Sequence, residues 1–169
     1  MITMADWSQK PIEWVVPGEM VRTLTGIGRV TKTKRYRLGV GRSIIKLGDL
    51  YMSDDHSIWT MHQPHSLVGQ WWGTYNYSHY LWEMNHVDEN DGEGPQLERH
   101  SVPLVRFKKH KHATLNGWEE LEAVYQEGYS PDTELCHLIV DTGSYICDGI
   151  VMSSSPKDIY YVGADWRGR

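Results

Sequence analysis

Two adjacent hydroxyls, Ser153 and Ser154, end the stretch of this chain best built to place them. Residues 134–155 read Glu-Leu-Cys-His-Leu-Ile-Val-Asp-Thr-Gly-Ser-Tyr-Ile-Cys-Asp-Gly-Ile-Val-Met-Ser-Ser-Ser. Leu135, Leu138, Ile139 and Val140 make a first apolar run, Tyr145-Ile146-Cys147 a second, and Ile150-Val151-Met152 a third. The breaks between them are Asp141-Thr142-Gly143-Ser144 and Asp148-Gly149. An Asp-Gly step between β-branched runs signals a hairpin, because Gly supplies the positive φ of the turn. The pattern predicts strand, turn, strand, turn, strand. It delivers Ser153 and Ser154 to a chosen place.

The other chemistry-bearing residues are scattered. His56 closes Ser53-Asp54-Asp55-His56 at the end of a predicted strand. The pairs His62/His65 and His110/His112 lack Cys or carboxylate companions at set spacing, so no metal and no cofactor is expected. Asp88, Glu89, Asp91 and Glu93 suggest calcium, but Gly92 would put Val87 at the first ligand position of an EF-hand loop. That segment reads as an exposed acidic loop. Trp71, Trp72, Tyr75, Tyr77, Tyr80 and Trp82 crowd one short segment. Trp71, Trp72 and Tyr75 are the candidates for a ligand or carbohydrate platform, against the plainer reading of strand packing.

The elements that must position these groups are short. The chain has 169 residues, enough for one domain with a real core. It has 8 Trp and 10 Tyr but one Phe, so its large apolar groups carry polar handles suited to half-buried sheets. A net charge of −5 argues against a general nucleic-acid binder. Cys136 and Cys147 fall in adjacent predicted strands; two reduced core thiols are favoured over a bridge. No run approaches the roughly 18 apolar residues of a membrane span, and no leader is evident, so a soluble, cytoplasmic protein is expected.

Turn signals recur about every ten residues from Pro17-Gly18 onward, which predicts an all-β meander. Residues 1–14 read as a polar arm or edge strand. Residues 29–38, rich in Lys, Arg and Thr, read as an exposed or edge strand. Residues 108–112 read as a solvated basic run. The one predicted helix covers 118–125, with Leu121, Val124 and Tyr125 on one side. Residues 156–169 read as a tail.

Three separated segments together resemble the Hint family, the hedgehog and intein autoprocessing fold. Val15-Val16-Pro17-Gly18-Glu19-Met20-Val21 looks like its opening block, which a nucleophilic Cys or Ser begins. Residues 44–56, ending Ser53-Asp54-Asp55-His56, look like its Thr-x-x-His block. Residues 135–154 look like its closing strands, which end in His-Asn. The resemblance implies a compact fold of short twisted strands over 15–155 and an acyl shift at the first residue. Such a shift needs a nucleophile, a proton carrier and oxyanion support. By position, His56 matches the block His and Ser53 stands for the Thr. Val15, or Trp14 or Val16 if the alignment slips by one, stands for the nucleophile, and Ser153 and Ser154 for the His and Asn. Valine cannot attack a carbonyl, and serine cannot form a succinimide. The resemblance therefore implies a pseudoenzyme: a non-catalytic structural or interaction module that partners other protein subunits, with a virus particle or phage tail as one setting. Two alternatives stand beside it. One is residual self-cleavage by Ser153, Ser154 or Cys147 with His56, and the other is a ligand- or carbohydrate-binding β domain.

Overall fold

The structure is a computed structural model describing residues 1–54, 56–61, 70–74, 100–102, 111–126 and 128–154. Calls that fall on other residues lie outside the described residues: Asp55, Tyr75, Tyr77, Tyr80 and Trp82, the acidic loop, 108–110 and the tail.

Among the described residues, fifteen strands follow in chain order: β1 (Ile2–Thr3), β2 (Gln9–Lys10), β3 (Met20–Thr23), β4 (Gly26–Arg37), β5 (Ile44–Leu47), β6 (Leu50–Ser53), β7 (Ile58–Met61), β8 (Gln70–Thr74), β9 (His100–Val102), β10 (Lys111–Thr114), β11 (Gly117–Glu120), β12 (Ala123–Gln126), β13 (Glu134–Val140), β14 (Ser144–Cys147) and β15 (Ile150–Ser153). A 3-10 turn, Ile12–Trp14, is the one helical element among the described residues. The expected all-β class is present, as a curled antiparallel half-barrel.

The main sheet runs β2-β1-β14-β15-β10-β7-β8-β9, with β11 paired to β10. Only β8 and β9 pair in parallel among the described strands. Two smaller sheets, β12-β5-β6 and β13-β4-β3, complete the fold. The arm predicted over 1–14 is built into this framework. Residue Ile2 pairs with Cys147 and Lys10, and its side chain is fully buried.

The three strands read from 134–155 form as β13, β14 and β15. Asp148 (φ 48°) and Gly149 (φ 80°) both take left-handed backbone, as a two-residue hairpin turn of matching twist requires. The register follows: Cys147↔Ile150, Ile146↔Val151, Tyr145↔Met152 and Ser144↔Ser153. All eight of these residues are buried. Strand alternation therefore serves two cores. Tyr145, Cys147, Ile150 and Met152 join the main core with Ile2, Val21, Leu47, Ile58 and Leu138. On the opposite face, Ile146 and Val151 join Trp59 and Ala113, with Leu24 packed against them.

Two sequence expectations are corrected. Residues 118–125 are not helical; they divide between β11 and β12, and Ala123 to Gln126 pair with Leu47 to Ile44. The spacing of Leu121, Val124 and Tyr125 mimics a helix face, but pairing to β5 and full burial of Ala123 win. The basic run lies in β4 and is exposed along much of its length, as expected; β3 pairs only with Gly26 to Arg29, and Lys32 to Arg37 pair with β13. His112 is no solvated residue: it sits fully buried in β10 opposite Thr60 and Glu119.

Gly28 in β4 opposes Val21. A Cβ there would lie 2.6 Å from Thr142 Oγ1, 2.6 Å from Val140 Cγ1 and 2.9 Å from Thr23 Cγ2. Such contacts force shifts in packed neighbours. Gly28→Ala is therefore expected to destabilise the domain by about 1–3 kcal/mol. A urea melt that leaves the midpoint unchanged would contradict this packing.

Candidate functional site

The candidate site begins at the connection between β6 and β7. Asp54 is fully buried. Its Oδ1 accepts from Arg42 Nε at 2.8 Å and lies 2.7 Å from Arg42 Nη2. Its Oδ2 accepts from the Ser43 N–H at 3.1 Å, and its own N–H donates to the Ser43 carbonyl at 3.0 Å. This ties the end of β6 to the entry of β5. An ionised carboxylate here is reflected across the core, where burial and then the Asp54 charge raise the Tyr125 pKa. The His56 N–H donates to the Ser53 carbonyl at 3.2 Å, which fixes the direction in which the imidazole leaves the turn.

That imidazole enters a chain of polar groups. His56 Nδ1 lies 3.1 Å from the Ser57 carbonyl, and His56 Nε2 lies 3.1 Å from His137 Nδ1. His137 Nδ1 lies 3.0 Å from the Tyr145 hydroxyl, which is also 3.5 Å from His56 Nε2. The rings meet edge to face, at 5.0 Å for His56–His137 and 5.8 Å for His137–Tyr145. His137 and Tyr145 are buried, and His56 is half-buried.

Proton placement follows from the acceptors. A carbonyl only accepts, so His56 Nδ1 carries a hydrogen. In the neutral pair, His56 Nε2 offers its lone pair to the Nδ1–H of His137. If His56 takes a second proton, the bond reverses and His137 becomes the acceptor. The arrangement holds one mobile proton between two imidazoles, with a phenol at its side. It can carry a proton.

The other sequence-predicted residues are engaged elsewhere. Val15 is buried in the main core, where it offers only methyl groups. Ser154 Oγ accepts from the Val140 N–H and donates to the Val140 carbonyl, both at 3.2 Å. Its hydroxyl is thus spent on the end of β13. The Ser153 N–H donates to the Ser57 carbonyl at 2.9 Å. Its side chain, opposite Ser144 in register, points to the face away from Tyr145. Ser53 contributes its carbonyl to His56, while its buried hydroxyl bonds nothing among the described residues. Trp71 and Trp72 lie in β8 opposite Trp59 and Ile58.

Cys147 is buried, and that burial pushes its thiol up to about 11. Both cysteines are free. They lie in different sheets, since β13 pairs with β4 and β14 with β1 and β15. Among the described residues, no group of three or more His, Cys, Asp or Glu is placed to hold a metal.

His137 and Tyr145 were not singled out from the sequence, although both lie within residues 134–155. The turn at 141–143 carries the chain from one sheet to another between them. The joining of His137 to Tyr145 and His56 is a consequence of that crossing and leaves no short-range pattern. With the geometry in hand, the chain was compared with known proteins: no protein-family model matches it, and no curated protein does.

Two outcomes check this geometry. Tyr145→Phe removes one hydrogen-bonding group from the buried chain and is expected to cost about 0.5–1.5 kcal/mol by chemical denaturation. An unchanged midpoint would show that the hydroxyl is not engaged. For the thiols, a pKa near 11 leaves roughly one part in a thousand of Cys147 as thiolate at pH 8. Ellman's reagent should therefore label one thiol, Cys136, in the native protein and two in denaturant. Rapid native labelling of Cys147 would refute the burial.

Proposed function

We propose that this chain is a Hint-like β domain that keeps the proton-carrying part of an autoprocessing site and has lost its nucleophile. It works as a structural and protein-binding module. The observation that carries this reading is the His56–His137–Tyr145 chain, buried at His137 and Tyr145, together with a buried Val15 at the position that the resemblance matches to the nucleophile. The order of elements supports it: a valine leading into the β3–β4 hairpin, a histidine just past β6, and a closing β14–β15 hairpin. The lost second step is supported by Ser154, whose side chain secures the backbone of Val140. A scaffold of this kind suits a subunit of a larger assembly, and a virus particle or phage tail is one such setting.

Self-cleavage is the competing outcome. Intact mass followed for several days from pH 5 to pH 9, with and without thiol or hydroxylamine, is expected to show one undiminished species. A cleavage product that disappears in a His56→Ala variant would make the protein an enzyme and overturn the proposal.

A further inference from the structure

The second face of the β14–β15 hairpin opens to the surface through a cavity of about 240 Å³. Its floor is Ala113, Ile146 and Val151, three members of the smaller core. Its walls include Trp7, Arg22 and Leu24. Nothing in the His56–His137–Tyr145 chain belongs to it.

The wall is held in an unusual way. Trp7 has φ 70°, a left-handed backbone that a bulky side chain rarely adopts. The turn that imposes this is closed by hydrogen bonds: Trp7 N–H to the Met4 carbonyl, and Met4 N–H to the Ser8 carbonyl, both at 2.9 Å. Asp6 Oδ1 accepts from the Ser8 N–H at 2.9 Å and from its hydroxyl at 2.5 Å. The result is an indole left 60% exposed, with the Arg22 guanidinium carbon 4.1 Å from its ring centroid. Arg22 has no carboxylate partner among the described residues, and its buried Nε bonds nothing there. Arg35, Arg37 and Arg42 each have one. Leu115, which also lines the cavity, and Trp118, which opposes Ala113, are 43% and 39% exposed.

A tryptophan and an arginine stacked at an apolar depression are the residue types that dominate protein–protein hot spots. The cavity is smaller than the roughly 300–1,000 Å³ typical of small-molecule and cofactor sites. It fits one large side chain better than a whole ligand. We propose that this cavity is the docking site for a partner-protein segment in which a large apolar side chain stands beside a carboxylate. The apolar side chain covers Ala113, Ile146 and Val151 and stacks along Trp7. The carboxylate pairs with Arg22, whose guanidinium is preorganised on the indole. This rests on the reading of the domain as a binding module, and names the chemistry of its partner.

The test uses the full chain labelled with 15N. The probe is an N-acetylated, C-amidated hexapeptide, Gly-Asp-Leu-Trp-Glu-Gly. Its controls replace Asp and Glu by Asn and Gln, or Leu and Trp by Ala. The acidic apolar peptide is expected to shift the amide signals of Arg22, Leu24, Ala113 and Ile146 and to saturate. Each control, and each of the variants Arg22→Gln and Trp7→Gly, is expected to bind about tenfold more weakly. Trp7→Gly also relieves the backbone strain, so its loss of binding cannot be ascribed to unfolding. Equal binding of the Asn/Gln control, shifts elsewhere on the domain, or no shifts at millimolar peptide would each overturn the proposal. None of these results bears on self-cleavage, so a failure here is separable from failure of the non-catalytic reading.

Discussion

The structure depends on one hairpin being buried on both of its faces. β14 and β15 are four residues each, and every residue of the two strands is shielded from solvent. In a strand with one solvated face, a one-residue slip turns the apolar set out into water. Here a slip by one residue would exchange the contents of the two cores. Ile146 and Val151 would enter the space shaped for Tyr145 and Met152, and a phenol would enter a cluster formed by Trp59 and Ala113. The Asp148–Gly149 turn prevents this, because both residues sit in left-handed backbone that fixes which residues oppose each other. The neighbours reinforce it: Ile2 of β1 opposes Cys147, Thr114 of β10 opposes Ile150, and Ile58 of β7 opposes Met152.

Burial on this scale makes the polar groups within it consequential. Two imidazoles, a phenol and a carboxylate lie in or against the main core. Each would be costly without partners, since an unsatisfied buried polar group loses its hydration and regains nothing. The structure satisfies them in two linked sets. Arg42 and the Ser43 backbone hold Asp54, which orders the turn that aims His56. His56 then shares its hydrogen bonds with Ser57, His137 and Tyr145. Ser57 is the point of contact with the hairpin, because its carbonyl also accepts from the Ser153 N–H. Three segments distant in sequence are thus locked together by groups that have geometric preferences apolar side chains lack. A polar cluster of this kind is well suited to specifying one arrangement, even where no reaction takes place.

How much of this was legible in the sequence divides along the range of the interactions. Residues 134–155 formed the three strands read from them, because alternation and an Asp-Gly turn are local signals. The all-β class followed from the same kind of evidence. The helix expected over 118–125 failed because three residues of helical spacing outweighed the strand preference of Val124 and Tyr125, and only the presence of β5 decides between them. His112 was misread because its neighbours in sequence are basic, whereas its burial is set by β7 and β11 on either side. For the candidate site, His56 was found and its partners were not. His137 and Tyr145 are brought to it by a chain crossing between sheets, and no spacing rule encodes that. The docking cavity was equally hidden, since Trp7, Arg22 and Ile146 are distant in sequence and ordinary in type.

The two faces of the hairpin divide the molecule's chemistry. On one side lies the His56–His137–Tyr145 chain, with His137 and Tyr145 buried. On the other lies a small core whose surface opening has an exposed indole and, among the described residues, a cation without a carboxylate partner. Because the faces are separated by the sheet itself, substitutions on one need not disturb the other. Sites with no shared partners contribute independently to stability. The surface of Trp7 and Arg22 is therefore free to vary with a partner, while His56, His137 and Tyr145 are held by one another.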